Sequence, residues 1–515
     1  MRVRTVRTRR RRVPPRQILA PAIAALAAIM WLLGLHTITP SEMGSTGLIT
    51  HLSPILLLSY PVLIVAVLIE LLAADSRQRV LTAFTMLGVV LVYGLQPASE
   101  QVARMPVAWL HIGFAQYIAD HGHILPDFDA RFSWPGFFSL IAFLSRASGQ
   151  ADMTPLLQWA PVVLTGLATL GMRALASQVL GRGRTAWLAT WIFLLTEWTE
   201  QDYFSPQAVS YILMLGALAV TARYLVRPGL ISREPASVRR RLIPAGTPYD
   251  RLLAQAIVLL LALALAPSHQ LTPFVLGGLL LLLLLTGRLW PAWLPWLVLI
   301  PAVIWFSLGA RDFWAGQLHM IIEDLGNVTS SVDQGIGGRF VGDAGRTLIL
   351  DIRIGLTGVV ALLTAAGWWE LRRRGVRSWA LPLLAVLPFG LIALQSYGGE
   401  IFVRCYLFAL PFCAMLAAVA INGAITRALL SRPSPAHRRA GTLFRRRARV
   451  IATVFVLLTA LGMATVTARG GNDAYTSFSR ADLAAVEYAY QHASNGQSID
   501  VLMSAVPTDF EKVGV

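Results

Sequence analysis

Apolar residues run in stretches of about twenty from one end of the chain to the other, separated by short polar clusters rich in arginine. A helix needs about 20 apolar residues to cross a bilayer, and in lipid every backbone amide must be bonded within its own segment. The pattern predicts an all-α bundle of about thirteen transmembrane helices, near residues 17–35, 50–73, 80–97, 154–178, 185–199, 207–226, 251–267, 272–288, 293–309, 349–370, 379–396, 404–427 and 450–468. One shorter run, WPGFFSLIAFL at 134–144, is expected to form a non-spanning external helix. Counting it as a span would put GRGR near 181 outside and invert the register downstream.

With that count the basic connections SRQR, GRGR, RPGLISREPASVRRR, RRRGVR and HRRAGTLFRRRAR all fall on one side, which the positive-inside rule makes cytoplasmic. The first apolar run follows MRVRTVRTRRRRVPPRQ and reads as a retained anchor with a cytoplasmic N-terminus. The organisation expected is a basic N-terminus at 1–16, a transmembrane domain at 17–468 and an external C-terminal segment at 469–515. Long external segments then lie at 98–153 and 310–348. In the first, PVAWLHIGFAQYIADHG sets Val107, Leu110, Phe114, Tyr117 and Ile118 on one helical face, as in a helix lying along the membrane interface. The tail reads as a helix, an Asn-Gly turn and a short strand that docks on the membrane domain.

Composition narrows the class. Of 515 residues 56% are hydrophobic and 14% charged, against about 25% charged in soluble domains, so a soluble enzyme is excluded and a multi-pass protein of the cell (plasma) membrane is expected. The formal charge of +17 sits between apolar runs, where it sets orientation, and no nucleic-acid partner is implied. Cys405 and Cys413 are eight residues apart in one apolar segment, about 12 Å along a helix, too far for a disulfide.

Five external features combine polar groups with a position at the membrane edge, where charged groups are functional candidates. Glu100, just beyond a spanning helix, is a candidate general base or a solvated loop residue. Asp127 and Asp129, with Arg131 beside them, form a second acidic site or a salt-bridged loop. In TEWTEQDYFSPQ, the acids Glu197, Glu200 and Asp202 stand among aromatic residues, Tyr203 included, that suit sugar stacking or headgroup anchoring, with Gln207 following. His269 and Gln270 in PSHQLTP are candidate donors, helix capping being the plainer role for the histidine. In QSYGGEIFVRCY, Gly398 and Gly399 allow a tight turn, and Arg404 suits a lipid phosphate or an ion pair with Glu400.

His111, His121 and His123 near Asp127 have neither a Cys partner nor an HExxH spacing, so no protein-bound transition metal is assigned. A divalent cation, Mg or Mn, shared between carboxylates and a substrate phosphate is the more plausible metal.

The order of spanning helix, acidic external loop with an interface helix, many further helices and external tail resembles the type C glycosyltransferases, membrane enzymes that use polyprenyl-phosphate sugars. Within AQYIADHGHILPDFDARFSWPGFFSLIAFL, an amphipathic helix ending at Gly is followed by an aromatic-Pro element, Trp134-Pro135-Gly136, that resembles the superfamily's opening of a second non-spanning helix. QDYFSPQ, SHQLTP and GGEIFVR also resemble actinobacterial membrane proteins grouped with these enzymes. One departure is that Pro106-Val107-Ala108 stands where the superfamily carries an acid at the start of the interface helix.

The resemblance implies inverting hexosyl or pentosyl transfer from a polyprenyl-phosphate sugar donor to a cell-envelope glycan, lipid or protein acceptor on the external face. Asp129, Glu100 or Asp127 would act as base, and Arg404, Arg131 and His269 would hold the phosphate. Two other functions fit the same residues. A transporter or flippase would use them as a path for a lipid-linked intermediate, although the halves show no internal repeat. A polysaccharide polymerase or ligase would draw on Arg311, His319, Arg339 and Arg346 in the late external segment.

Overall fold

The computed structural model describes residues 15–38, 46–125, 129–150, 152–228, 230–231, 241–314, 344–376, 378–393, 400–430, 440–471 and 473–492. Asp127, Gly398, Gly399, His319, Arg339 and the expected tail strand lie outside the described residues.

The described chain is helical. In order, the helices are α1 Pro15–Leu35, α2 Pro54–Leu71, α3 Gln78–Tyr93, α4 Leu95–Ser99, α5 Pro106–His121, α6 Gly136–Ser148, α7 Pro155–Leu180, α8 Arg184–Leu194 and α9 Pro206–Tyr224. There follow α10 Pro248–Leu265, α11 Thr272–Leu285, α12 Leu294–Ile304, α13 Ala344–Arg373, α14 Ala380–Val386, α15 Ile401–Leu430, α16 Ala440–Gly470, α17 Asp473–Thr476 and α18 Arg480–His492. Each expected span falls on a helix, but by length and composition seven helices among the described residues can cross a membrane. Several others are shorter: α8 has 11 residues, a rise of about 17 Å against a hydrocarbon core of about 30 Å, and α12 runs on as a π-helix only to Gly309.

Burial follows the periodicity. On α7, Leu156, Trp159, Val163, Leu167 and Leu170 point outward while Leu157, Ala160, Ala168 and Met172 point inward, the two-faced pattern of a bundle helix with one side to lipid. α15 is apolar all round and buried, packing against α8, α13, α14 and α16 as the central helix. A second, smaller core joins α5, α6 and the start of α7 through Trp109, Phe114, Phe132, Phe137, Phe138 and Phe204. α6 has 13 residues and rises about 20 Å, and it packs on α5.

Two expected details change. Phe114 of α5 is buried as anticipated, but Val107 is exposed and the inward side is Ala108, Trp109, His111, Ala115 and Ala119, because α5 packs on the phenylalanines of α6 and on Phe204. The connection near 437 is shorter than its charge suggested, since α16 starts at Ala440 and carries Arg445, Arg446, Arg447 and Arg449 on its first turns.

Candidate functional site

Short local signals place the polar residues. In FSPQ, the Ser205 hydroxyl accepts from the Ala208 amide and Pro206 takes the first turn, so α9 starts there and carries Gln207 in its first turn. α5 begins at Pro106 and ends at Gly122, whose φ of 75° is the left-handed conformation that glycine adopts without strain. At Trp134-Pro135-Gly136 the chain presses against the α10–α11 turn. Gly136 N donates to Pro267 O at 2.8 Å, and a Cβ at 136 would lie 2.6 Å from Ser268 Oγ.

These elements build an open pocket of about 540 Å³ lined by Arg131, Trp134, Pro206, Ser268, His269, Gln270 and Phe313. Behind it, buried Arg404 donates through Nη1 to Gln207 Oε1 and through Nη2 to Glu400 Oε2 at 2.9 Å. Gln207 Nε2 is buried with no hydrogen-bond partner among the described residues.

His269 defines the polarity of this pocket. Its Nδ1 accepts the Thr272 amide at 3.2 Å at the start of α11, the capping role expected from sequence. Burial, then the nearby Arg404 charge, holds the imidazole well below its ordinary pKa, so it is neutral, and with Nδ1 accepting the Thr272 amide its one proton is assigned to Nε2. That Nε2 lies 3.4 Å from Arg404 Nη1. Two donors face each other there, an arrangement that suits a shared anion.

A second cluster lies beyond the C-terminal end of α3, at the C-terminal end of α16 and beside Arg353 of α13. Arg104 pairs with both Glu200 and Asp473. Arg353 Nη2 meets Glu200 Oε2 at 2.7 Å, and Arg469 meets Asp202 at 3.0 Å and Glu197 at 3.4 Å. Glu100 lines the adjoining pocket with Arg104, Gln158, Glu200, Asp202, Tyr203 and Arg469, and its Oε1 is buried without a partner among the described residues. Burial, with further repulsion from Asp473 and Glu200, pushes the Glu100 carboxyl well above the ordinary range despite Arg104. For Glu200 burial acts upward, but Arg104, Arg353 and Arg469 together hold its carboxyl below that range. Met105 and Glu200 have φ of 72° and 56°, strained for residues other than glycine, and they bracket the Arg104–Glu200 pair.

The two pockets adjoin. Tyr203 lines one and Pro206 the other, three peptide units apart, at most about 11 Å between Cα atoms. Tyr203 stacks on His111 at 5.9 Å. Burial lowers the His111 pKa to about 4, so its neutral Nδ1–H donates to Phe204 O at 2.9 Å and fixes the strip between the pockets.

The structure thus joins Arg404, Gln207, Glu400, His269, Gln270 and Arg131 at one pocket, and Glu100, Asp202 and Tyr203 at the other. Asp129 stands beside the first pocket, with both oxygens held by Arg131 at 2.6 and 2.8 Å. Burial acts upward on Asp129, yet these bonds keep its carboxyl below the ordinary range. Sequence reasoning missed Gln96, Arg104, Arg353, Arg469 and Asp473. Arg104 carried one signal, a lone arginine four residues after Glu100 outside any basic run, whereas the others joined the cluster only through tertiary packing.

No protein-family model and no curated protein matches the chain. Solved structures do. ArnT from Cupriavidus metallidurans bound to undecaprenyl phosphate superposes with a TM-score of 0.51 at 13% identity, over 86% of this chain and 85% of that one. The apo oligosaccharyltransferase of Archaeoglobus fulgidus superposes at 0.51 and 13% identity, over 81% and 58%. This chain has the type C glycosyltransferase fold. At such identity the likeness is one of fold, and the chain spans about three-fifths of the oligosaccharyltransferase chains it matches. The second pocket sits at the Arg469 end of α16, remote from the arginine run at 445–449. Arg446 and Arg469 are 23 residues apart, about 35 Å along the helix, more than a hydrocarbon core.

Proposed function

We propose that the protein is a membrane glycosyltransferase that moves a sugar from a polyprenyl-phosphate donor to a hydroxyl acceptor of the cell envelope, a glycan, lipid or protein. One observation carries this reading: Arg404 and neutral His269 present converging donors beside the unpartnered amide of Gln207, a set suited to phosphate oxygens. The fold of ArnT, seen with undecaprenyl phosphate, supports it. With the arginine-rich end of α16 cytoplasmic, both pockets open on the external face.

In this reaction the donor phosphate occupies the Arg404–His269–Gln207 site, with Arg131 at its mouth, and the sugar extends towards Tyr203. Glu100 is the base, because its free buried oxygen has a high proton affinity while the carboxylate of Asp129 is held by Arg131. The acceptor oxygen forms a bond to the anomeric carbon as its proton passes to Glu100. The bond from that carbon to the phosphate oxygen breaks with inversion, and its electron pair leaves on the phosphate, where the donors stabilise it.

Among the described residues no three His, Cys, Asp or Glu side chains group as ligands, and Glu197, Glu200, Asp202 and Asp473 each face a guanidinium, so a divalent cation would have to be shared between a carboxylate and the substrate phosphate.

The test is release of polyprenyl phosphate from a panel of polyprenyl-phosphate sugars by protein in lipid nanodiscs. Turnover that vanishes in Glu100→Gln and falls sharply in Arg404→Ala supports transfer. Movement of intact lipid between leaflets, with no donor cleaved, refutes it.

A further inference from the structure

Asp473 enters the Glu100 pocket from the far end of the chain. It follows Gln96 by 377 positions and Arg104 by 369, yet accepts from both, Gln96 Nε2 at 2.7 Å and Arg104 Nη1 more closely still. It is fully buried, and its second oxygen, Oδ2, has no partner among the described residues. The backbone around it is tied to the same wall. Met105 N donates to Thr476 O at 3.2 Å, Arg480 N donates to the Gln101 side chain at 3.2 Å, and Leu483 packs against the second core. Strained Met105 is thus pinned from the tail, and Arg104 is stretched between Asp473 and Glu200.

We propose that Asp473 is a positioning residue for this active site: it fixes Arg104 against Glu200 and thereby sets the charge that Glu100 faces. The inference rests on the transfer reading above. Five carboxylates, those of Glu100, Glu197, Glu200, Asp202 and Asp473, meet three guanidiniums, those of Arg104, Arg353 and Arg469. The groups facing Glu100 are Arg104 in attraction and Asp473 and Glu200 in repulsion. Those facing Asp473 are Arg104 and Arg469 in attraction and Glu200 in repulsion, with Gln96 donating to it, and burial raises its own carboxyl to about 7. Arg104 is therefore shared between two acids, Asp473 and Glu200. Replacing Asp473 by a neutral residue gives Arg104 over to Glu100 and Glu200 and removes one repulsion from Glu100.

The experiment follows Glu100 directly. Infrared difference spectra of the full-length protein in nanodiscs identify the carboxyl band that Glu100→Gln abolishes, and this band is titrated alongside polyprenyl phosphate release. In Asp473→Asn, band and acid limb of turnover are expected to move together to lower pH by about one unit, with Asp473→Glu restoring both. A purely architectural role would lower the rate at every pH and leave the band in place. Gln96→Leu, which removes only the neutral donor favouring ionised Asp473, should shift the band the same way by less, and it serves if Asp473→Asn does not fold. A band that titrates at the wild-type pH in a folded variant overturns the proposal. Wild-type protein that cleaves no donor refutes the transfer reading instead, while a band shift in that case still supports the coupling of Asp473 to Glu100.

Discussion

Arg404 Nη1 and His269 Nε2 lie 3.4 Å apart, and the tautomer assigned to His269 makes both of them hydrogen-bond donors. This holds because Nδ1 of the neutral imidazole is occupied by the Thr272 amide. Charge-assisted bonds to such an anion contribute roughly 1.5–3 kcal/mol each. Arg404→Ala is therefore expected to weaken polyprenyl phosphate binding by about tenfold to a hundredfold. Arg404→Lys should recover only part of the loss, since an ammonium cannot reproduce the planar fork. Titration of a fluorescent polyprenyl phosphate reads both, and unchanged affinity in Arg404→Ala would remove the phosphate site.

The raised pKa of Glu100 has two signed consequences. A base must be deprotonated to act, so kcat/KM should rise with pH along a limb displaced above the ordinary 4.5. For stability, the folded state binds the Glu100 proton more tightly than the unfolded state, so unfolding free energy falls as pH climbs from the ordinary value through the folded one. Glu100→Gln lacks this loss. Melting curves should show the variant gaining on wild type as pH rises, and parallel curves would place Glu100 in a solvated setting.

Gly136 allows α6 to approach the α10–α11 turn. Gly136→Ala sets its Cβ against Ser268 Oγ and Pro267 O, at 2.6 and 2.9 Å, an overpacking that costs about 1–3 kcal/mol. The expected result is a lower Tm together with a raised KM for donor, because the displaced turn carries His269 and Gln270. Gly216→Ala on α9 is the control for glycine replacement, since no neighbour lies within 4 Å there, and it should leave KM unchanged.

Two ion pairs, one local and one between distant residues, differ in burial. Arg131 is 42% exposed against Asp129, whereas Arg104 and Glu200 are each 8% exposed. Arg131→Ala should therefore change stability by less than about 1 kcal/mol. Glu200→Ala leaves Arg104 partly uncompensated in a dry site and should cost about 3–5 kcal/mol. Thermal unfolding in one nanodisc composition compares them, and equal losses would contradict the burial.

The bundle was legible because apolar run length and arginine clusters are local properties, and every expected span falls on a helix. Helix ends were less so: α8 stops at Leu194 because the chain turns there to deliver Glu197, Glu200 and Asp202 to the second cluster, a decision made by Arg469 and Arg104 far away in sequence. The Arg404 pocket was readable in part, since SPQ, SHQ and GGEIFVR are compact motifs at helix starts. The acid–arginine cluster was not. Arg353 and Arg469 lie on apolar helices, where they read as flanking charges, and Asp473 follows a Gly-Gly-Asn run that reads as a linker. Asp129 drew notice as an acid beside an arginine, but the arginine is what occupies it.

The ionic closure at Asp473 also sets an order of manufacture. Arg104 and Glu200 leave the ribosome long before residue 473 does, so the nascent membrane domain holds a half-compensated cluster until α16 and Asp473 have been made. A chain released early retains most of its apolar helices and lacks the acid that ties Arg104 down. Completion of the second pocket therefore depends on synthesis through residue 473.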